Sequence, residues 1–483
     1  MNIAAGIQKT HGKCRALVLE LGWNDTYREL HCPAVMHLLD LPPELLDNIA
    51  AHLDCRKDIL SLALCCHCLH SLVSHTHLQY RDIRCRLGLS ALWDRLASDD
   101  LHAGLLRSLT ILPDNVFDIQ SVIRDNLLLE ERVPDEYQEC ASDEATVASG
   151  REREERLVRA LKRAPNLRRF RWFGDPGGNN IWETLSALGT VQELHVLDLE
   201  REQPPWVSPE RAIGTSHSFL SFRGLISFNL RANAFDKEQA VPNAMPLLRM
   251  LIDNCTDLQS LTLHLEMYGH MQTVSADPLL CHAGWPDLRN LYLEGFHCTS
   301  STLSPFLASH PFLRDVHLPR MMPGYLWANV VLPDGALPNL RLLECSSHTA
   351  AALLRNPRAA NGLTSLRGVD LEDELIVDMY FNYASDDEWW DGHADDDHDF
   401  ETRTGSPWRA QLVEGIRLHP SITSVWLETE SSYVPTAHVM ELATAAPQIT
   451  ELSLPHNPPT PLVSTTTRFD ARIVNSLPIP FSS

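Results

Sequence analysis

The chain has 483 residues, more than one compact core usually holds, so two to four domains or one elongated repeat array are expected. Hydrophobic residues make up 44% of the chain and charged residues 21%, so most of it can bury a core. The formal net charge of −23 argues against binding to nucleic acid or to anionic membranes, since both favour basic surfaces. No run approaches 18 apolar residues, so no transmembrane helix is expected. The 12 cysteines form no disulfide framework, which favours a reduced cytoplasmic or nuclear compartment.

The first part of the chain divides into a leader and a short helical module. Residues 1–37 carry no clear period and are predicted to form a leader without regular structure. Residues 38–84 are predicted to be helical, with Pro42 and Pro43 in the first turn of one helix. Asp58 is a good N-cap for a second helix that runs to Val73. Both helices are too apolar for a module of about 45 residues to bury by itself, so some of this surface must face a partner or the next domain.

This module resembles an F-box. The resemblance rests on Leu-Pro-Pro-Glu-Leu-Leu at 41–46 and on a leucine-rich second helix that ends Cys-His-Cys-Leu-His-Ser-Leu at 66–72. It implies binding to the Skp-type adaptor of SCF ubiquitin ligases and, through that adaptor, to cullin. By position, the resemblance places six residues at the adaptor contact: Leu41, Pro42, Leu45, Ile49, Leu53 and Leu62. The alternative interpretation is an ordinary helical hairpin that docks on the rest of the chain.

A cluster of cysteines and histidines in the second helix raises the question of zinc. Cys65, Cys66 and Cys68 lie close together, but zinc sites usually need two ligand pairs separated by a loop, and no second pair follows. We therefore expect these cysteines to pack inside the protein, and we expect no metal and no cofactor.

A repeat dominates the chain from residue 157 onward, after a connecting segment at 85–156 that contains an acidic loop. The pattern apolar-x-x-apolar-x-apolar recurs at nearly regular intervals, apart from one interval that is twice as long as its neighbours. In six copies a proline stands two positions before the first apolar one, where it ends the preceding helix and favours an extended chain. The ten copies begin at Leu167, Leu194, Leu225, Leu258, Leu288, Leu313, Leu340, Leu366, Ile422 and Ile449.

The repeat resembles the leucine-rich-repeat family over the segment 157–457. One unit of helix, proline turn and short strand cannot bury its own leucines, but stacked units form a continuous core. The predicted fold class is therefore α/β, a short all-helical F-box followed by a horseshoe-shaped leucine-rich-repeat solenoid. In this combination the chain resembles fungal-type F-box proteins with C-terminal leucine-rich repeats. The alternative is a generic α/β domain rich in leucine.

Two segments interrupt or follow the repeats. An acidic insertion near 385–403 explains the doubled interval, and it contains Trp389 and Trp390, two large aromatic residues that could dock on the repeats or on a partner. The segment 458–483 is rich in proline and is predicted to be an irregular C-terminal tail.

Side chains alternate along a strand, so the residues that flank the last two apolar positions of each copy are expected on the concave face. Early copies place Arg169, Arg171, Asp198, Glu200 and Arg231 there, and later copies place only acidic charges: Glu294, Asp315, Glu344, Asp370, Glu372, Glu428 and Glu451. Tyr292, His317 and Trp426 lie among the acidic residues and could anchor a ligand. The predicted substrate-binding residues are Tyr292, Glu294, His317, Glu344, Asp370, Trp426 and Glu428. This face is either a surface for a basic protein segment or the solvated face of an acidic protein.

No catalytic motif occurs: the sequence has no P-loop, no GxGxxG after a strand and no GxSxG. The sequence therefore predicts a non-catalytic substrate-recognition subunit of an SCF-type ubiquitin ligase, whose F-box binds the adaptor and whose repeats bind an unknown substrate protein. The alternative is a ligase-independent scaffold built on leucine-rich repeats.

Overall fold

The structure is a computed structural model, which describes residues 38–53, 56–78, 80–112, 150–174, 179–198, 218–233, 244–266, 274–318, 330–371, 407–427 and 436–454. The predicted leader, the acidic insertion with Trp389 and Trp390, and the proline-rich tail lie outside these residues. The chain divides into two compact units, Met1–Val73 and Ser74–Ser483.

The described part of the first unit is helical. A 3₁₀ turn, Leu38–Asp40, is followed by α1 (Pro43–His52), α2 (Arg56–Ala63) and α3 (His67–Val73). α3 packs against both α1 and α2. Each helix buries one pair of residues four apart, the spacing that places side chains on one helix face. These pairs are Leu46 and Ala50, Ile59 and Ala63, and Leu69 and Val73.

The predicted second helix is wrong in two respects. It is two helices rather than one, because the chain turns at residues 64–66 between α2 and α3. This turn brings Leu69 and Val73 into a core that also contains residues of α1, which a single straight helix would not achieve. Asp58 is not the N-cap, since α2 already begins at Arg56 and Asp58 lies in its first turn.

The second unit is built on a parallel sheet of 12 strands. The strands follow the order β1-β2-β3-β4-β5-β6-β8-β10-β11-β12-β13-β14, and each pairs in parallel with its neighbours. Their bounds are β1 Asp82–Arg86, β2 Ser108–Leu112, β3 Arg169–Gly174, β4 Glu193–Asp198, β5 Ser227–Asn233, β6 Ser260–Glu266, β8 Asn290–Glu294, β10 Asp315–His317, β11 Leu342–Glu344, β12 Ser365–Val369, β13 Ser424–Leu427 and β14 Glu451–Ser453. The short strands β7 (Val274–Ser275) and β9 (Phe296–His297) form a separate parallel pair.

Helices alternate with these strands, as a parallel sheet requires. They are α4 Ser90–Ser98, α5 Asp100–Leu105, α6 Gly150–Leu161, α7 Asn179–Leu188, α8 Met245–Asn254, α9 Asp277–His282, α10 Ser300–Ser309, α11 Ser347–Leu353, α12 Pro407–Leu418 and α13 Thr436–Ala445, with a 3₁₀ turn at Phe219–Ser221. One continuous core of buried leucines, aromatic residues and alanines runs from Ile83 to Ala446.

The predicted strand in each repeat is confirmed, because each of the ten copies coincides with one strand from β3 to β14. In two copies the residue predicted to hold the first apolar position is wrong. Leu194 pairs with Phe170, the second apolar position of its copy, and Leu366 likewise pairs with Leu343. The first position in these two repeats is therefore held by Val191 and Leu363, both buried. Apolar residues recur every third position there, so the pattern fits two phases.

The six prolines each begin a tight turn, and in five of these repeats a helix ends shortly before the turn. The sheet also begins earlier than the predicted repeats, since β1 and β2 come before residue 157. The fold class is thus α/β with a helical N-terminal module, and the horseshoe shape remains a prediction.

Candidate functional site

The first unit leaves large apolar side chains exposed. Leu45 and Ile49 lie four residues apart on α1, and they are 48% and 39% exposed. Leu60 and Leu64 have the same spacing, at α2 and the turn after it, and they are 46% and 71% exposed. Leu38 and Leu39 are exposed as well. We call these six residues the exposed apolar set. The pairs Leu45/Ile49 and Leu60/Leu64 are each offset by one residue from a buried pair of the same helix. Both helices are therefore apolar on the face that packs inside the unit and on a neighbouring face that is exposed.

The six residues that the resemblance placed at an adaptor contact are not equally accessible. Pro42 is exposed and precedes α1 as its N-cap, with φ −54° and ψ 145°, so the proline ring suits its position. Leu45 and Ile49 are exposed on α1. Leu41, Leu53 and Leu62 are half-buried.

Leu60 and Leu64 are not among the residues that the resemblance placed at the contact. Their spacing of four residues, one position after the buried pair Ile59 and Ala63, is the signal that could have identified them. The prediction that the neighbouring cysteines pack inside is wrong for Cys65 and Cys68, which are exposed. Cys65 lies in the turn between α2 and α3 and Cys68 near the start of α3, and neither side chain is covered by the core of this unit.

On the second unit, the candidate site is the sheet face opposite the leucine core. Side chains alternate along each strand, so every strand places half of its residues on this face. The strand register aligns one residue from each of the 12 strands into a central row: Arg84, Thr110, Arg171, His195, Asn229, Thr262, Tyr292, His317, Glu344, Arg367, Trp426 and Ser453. Thr110 and His317 are buried, and the other ten are half-buried.

His317 lies at the centre of a charged cluster. Its Nε2 is 2.9 Å from Glu294 Oε2 and its Nδ1 is 3.2 Å from Glu344 Oε2, and the side chain is only 5% exposed. Burial alone would lower the pKa of His317, but the hydrogen bonds and charges of the two glutamates outweigh it, so the pKa is raised above its ordinary value. The imidazole ring of His317 therefore bridges two carboxylates from separate strands. His317 is better placed to position Glu294 and Glu344 than to contact a ligand itself.

The aromatic residues of the central row already have partners on their ring faces. Tyr292 stacks on His317 with ring centroids 3.8 Å apart, and His264 is nearly parallel to Tyr292 at 6.1 Å. The guanidinium of Arg231 lies 5.6 Å from the Tyr292 ring centroid, and that of Arg367 lies 4.2 Å from the ring centroid of Trp426. A ligand would meet arginines and ring edges here more readily than open aromatic faces.

The register corrects the predicted charge of this face. β12 contributes Arg367 beside Glu344, where the sequence pattern had placed Asp370, so the later strands are not free of positive charge. Asp370 follows β12, and its backbone exchanges hydrogen bonds with the hydroxyl of Ser347. β4 contributes Glu193 and His195 instead of Asp198 and Glu200. Glu200, Glu372 and Glu428 lie outside the described residues.

Asp315 and Glu451 belong to the adjacent row of the same face. Burial raises the pKa of Asp315, although Arg314, Arg367 and Arg341 oppose the rise. Among the described residues, the later strands thus present Glu294, Asp315, Glu344 and Glu451 against Arg367, so this part of the face remains acidic on balance.

Neither a metal centre nor a membrane span emerges from the described residues. In that part of the chain, no group of three or more histidine, cysteine or acidic side chains could hold a metal ion. Within the same residues, no helix is both long and apolar enough to cross a membrane. The cysteines that the structure describes are free thiols, and burial raises the pKa of Cys85 to about 12 and that of Cys255 to about 11.

Comparison with known proteins identifies the helical module. Residues 38–79 match the family model of the F-box domain, which covers the three helices and the exposed apolar set. F-box domains typically bind Skp-type adaptors within SCF complexes, and F-box proteins are generally non-catalytic adaptors. A search of the curated proteins found no significant match.

Proposed function

We propose that this chain is a substrate-recognition subunit of an SCF-type ubiquitin ligase. The observation that carries the proposal is the exposed apolar set within the matched F-box domain. Six large apolar side chains exposed between Leu38 and Leu64 form a concentration that soluble surfaces rarely leave uncovered. A partner that buries them gains about 25 cal/mol for each Å² of apolar surface removed from water. The Skp-type adaptor is the partner that an F-box domain implies.

The second unit supplies the other half of the proposed role. We propose that its strand–helix repeats are of the leucine-rich-repeat type and that the polar sheet face binds the substrate. The parallel register supports this proposal, since it arranges half-buried or buried side chains of varied chemistry in one row across the 12 strands. The chain itself performs no chemistry in this mechanism. It raises the effective concentration of the substrate beside the ubiquitin-charged enzyme, which adaptor binding brings into the same complex.

The acidic part of the face favours a basic segment of the substrate. Glu294 and Glu344 are the proposed contacts, with His317 and Tyr292 holding them in place and Trp426 at the edge of the acidic region. Asp370 and Glu428, which the sequence also nominated, remain proposals that carry less weight, because Asp370 is out of the row and Glu428 is not described. A basic segment would be attracted by the summed potential, since single exposed ion pairs are worth only about 0–1 kcal/mol.

The proposal is tested by co-purification of the full chain with a Skp-type adaptor. Leu45→Asp places a charge in the exposed apolar set and should abolish co-purification, because a buried unpaired charge costs several kcal/mol. Leu101→Asp is the matched control, since Leu101 is a more exposed leucine outside the F-box, near the start of α5. The control should co-purify as well as the wild-type chain.

Thermal unfolding separates loss of the interface from loss of the fold. Leu45 is half exposed, so Leu45→Asp should leave the melting temperature almost unchanged, whereas Leu46→Ala should lower it because Leu46 is buried. Undiminished adaptor binding by a folded Leu45→Asp chain would rule out the proposed contact. If the wild-type chain bound no adaptor at all, the ligase-independent scaffold would be the better interpretation.

A further inference from the structure

The N-terminal strands of the sheet carry a concentration of arginine. The repeat pattern had placed Arg169, Arg171 and Arg231 there, and β1, which the pattern missed, adds Arg84 and Arg86. On the polar face, β1–β5 contribute Arg84, Arg86, Arg169, Arg171 and Arg231. The described acidic side chains of these strands on the same face are Asp82 and Glu193. This end of the face is therefore basic on balance, whereas the end formed by β8–β14 is acidic.

The two carboxylates already have arginine partners. Asp82 lies 3.6 Å from Arg84, and Glu193 lies 2.9 Å from Arg169. Arg171 occupies the central row between these pairs, and its charge acts on the neighbouring residue His195. Arg231 lies two strands further along, where its guanidinium is over the ring of Tyr292. A positive potential therefore exists between Arg171 and Arg231 even though the whole chain is acidic, because screening limits distant charges to a range of about 8 Å.

His195 lies on the strand between those of the two arginines, and the charges of both arginines act on its ring. Burial, together with the charges of Arg171 and Arg231, lowers the pKa of His195 to about 3, so the ring is neutral near pH 7. Phe173 packs edge-on against this ring at 5.1 Å. The Nε2 of His195 is buried and has no hydrogen-bond partner within the described structure.

The neighbours of His195 in the central row repeat this feature. In the described structure, the hydroxyl of Thr110 and the side-chain oxygen of Asn229 are also buried without a hydrogen-bond partner. Buried polar atoms are usually satisfied, and leaving one unsatisfied costs about 1–3 kcal/mol. Three such atoms lie on nearby strands beside the arginines of this end of the sheet.

We propose that Arg171, His195 and Arg231 bind the carboxylate groups of an acidic segment of a partner protein. Charge complementarity selects this occupant, because the arginines donate in the fork geometry that carboxylates accept and His195 can donate from Nε2. The opposite charges of the two ends of the sheet would then fix the direction in which a partner with separate acidic and basic parts lies across the strands.

This inference does not depend on the F-box, so it is tested on the purified full chain without adaptor. The probe is a fluorescein-labelled hexapeptide with two adjacent glutamates between glycines and serines, and binding is followed by fluorescence anisotropy. Arg171→Gln and Arg231→Gln should each weaken binding about ten-fold or more, as expected for charge-assisted hydrogen bonds. Raising the salt from about 50 to 200 mM should also weaken it, since screening grows with ionic strength.

Three controls make the result decisive. Arg289→Gln removes the same charge from an exposed arginine that precedes β8 and should leave affinity unchanged. The same peptide with glutamine in place of glutamate should not bind. Arg171→Lys retains the charge but lacks the fork of donors, so its affinity should lie between those of the wild-type chain and Arg171→Gln, which separates loss of the charge from loss of the fold.

Two results would overturn the proposal. One is a folded Arg171→Gln and Arg231→Gln double variant that binds the glutamate peptide as tightly as the wild-type chain. The other is binding of a phosphoserine peptide of the same length with no measurable binding of the glutamate peptide, which would replace the carboxylate by a phosphate.

Discussion

The cluster around His317 leads to a prediction about stability that can be worked out from its contacts. His317→Gln removes the positive charge that lies 2.9 Å from Glu294 and 3.2 Å from Glu344. The Nε2 contact is a hydrogen bond to a charged group, worth about 1.5–3 kcal/mol, and the Nδ1 contact is an ion-pair contact. Without His317 the two carboxylates face each other with no cation between them. Both glutamates are roughly one fifth to one quarter exposed, so solvent reduces this cost. We expect His317→Gln to lower the free energy of unfolding by about 2–3 kcal/mol near pH 6.

The effect should depend on pH with a defined sign. The pKa of His317 is raised in the folded chain, so the folded state holds the proton more tightly than the unfolded state. This contribution is fully present below the unfolded pKa of about 6.5 and is lost as the pH rises through the folded pKa. The difference between the wild type and His317→Gln should therefore shrink above about pH 7.

The measurement is urea unfolding of both chains, followed by tryptophan fluorescence at several pH values from 6 to 9. His310→Gln is the matched control, because His310 is also buried but its pKa is lowered, mainly by burial. For His310 the neutral ring is favoured in the folded state, so its contribution falls as the pH drops below about 6.5. If the wild-type and His317→Gln chains differed by the same amount at every pH, the proposed bridge between the two carboxylates would be wrong.

Two further predictions concern the backbone and the basic end of the sheet. Gly295 has φ +76°, and an added Cβ would overlap the carbonyl oxygen of Leu265, whereas Gly335 has φ +68° and open space around it. Gly295→Ala should therefore lower the melting temperature clearly more than Gly335→Ala, which carries only the cost of about 1–2 kcal/mol for a left-handed backbone. In the folded chain the pKa of His195 is lowered to about 3, so the wild-type chain loses about 1.4 kcal/mol of stability for each pH unit below about 6.5. His195→Gln removes this titration and should make the chain less sensitive to acid. Urea unfolding at pH 5 and pH 7 checks this expectation, and an unchanged pH slope would contradict it.

The sequence was sufficient to predict one strand per repeat because the burial of leucines leaves a local signal. The first apolar position, the proline turn and the helix before it follow one another directly along the chain, so each copy can be recognised by itself. The same local signal could not fix the phase where apolar residues recur every third position, as at Val191, Leu194 and Leu197. The register is set by hydrogen bonds to the next strand, and these become visible only when the strands are paired.

The polar face was harder to predict because its chemistry depends on neighbours in space. Glu294, His317 and Glu344 come from three different strands, and no spacing in the sequence indicates that they meet. The repeat pattern found Arg169, Arg171 and Arg231 at the basic end but not the arginines of β1, since β1 has only two apolar residues on its core face, Ile83 and Cys85, and does not show the repeat pattern. A candidate list taken from the repeat pattern alone therefore overstated the acidity of the face.

The remaining prediction concerns which leucines of the F-box domain meet the adaptor. The resemblance placed Leu62 at the contact, but Leu62 is half-buried, whereas Leu60 is 46% exposed one position from the buried Ile59. Burying a whole leucine side chain is worth about 1.5–3 kcal/mol, so burying the exposed half of Leu60 contributes about 1 kcal/mol. We expect Leu60→Ala to weaken adaptor binding about five-fold with little change in melting temperature, and Leu60→Asp to weaken it more than about 100-fold.

Leu62→Ala is the matched comparison, because it removes the same atoms from a side chain that is largely packed within its own helices. It should lower the melting temperature more than Leu60→Ala does and should weaken adaptor binding less. The affinity of each variant for a surface-immobilised adaptor, measured together with its melting temperature, separates the two effects. The opposite order, in which Leu62→Ala weakens binding strongly and Leu60→Asp is tolerated, would mean that the adaptor lies over the other side of α2 and that the exposed leucines there serve a different partner.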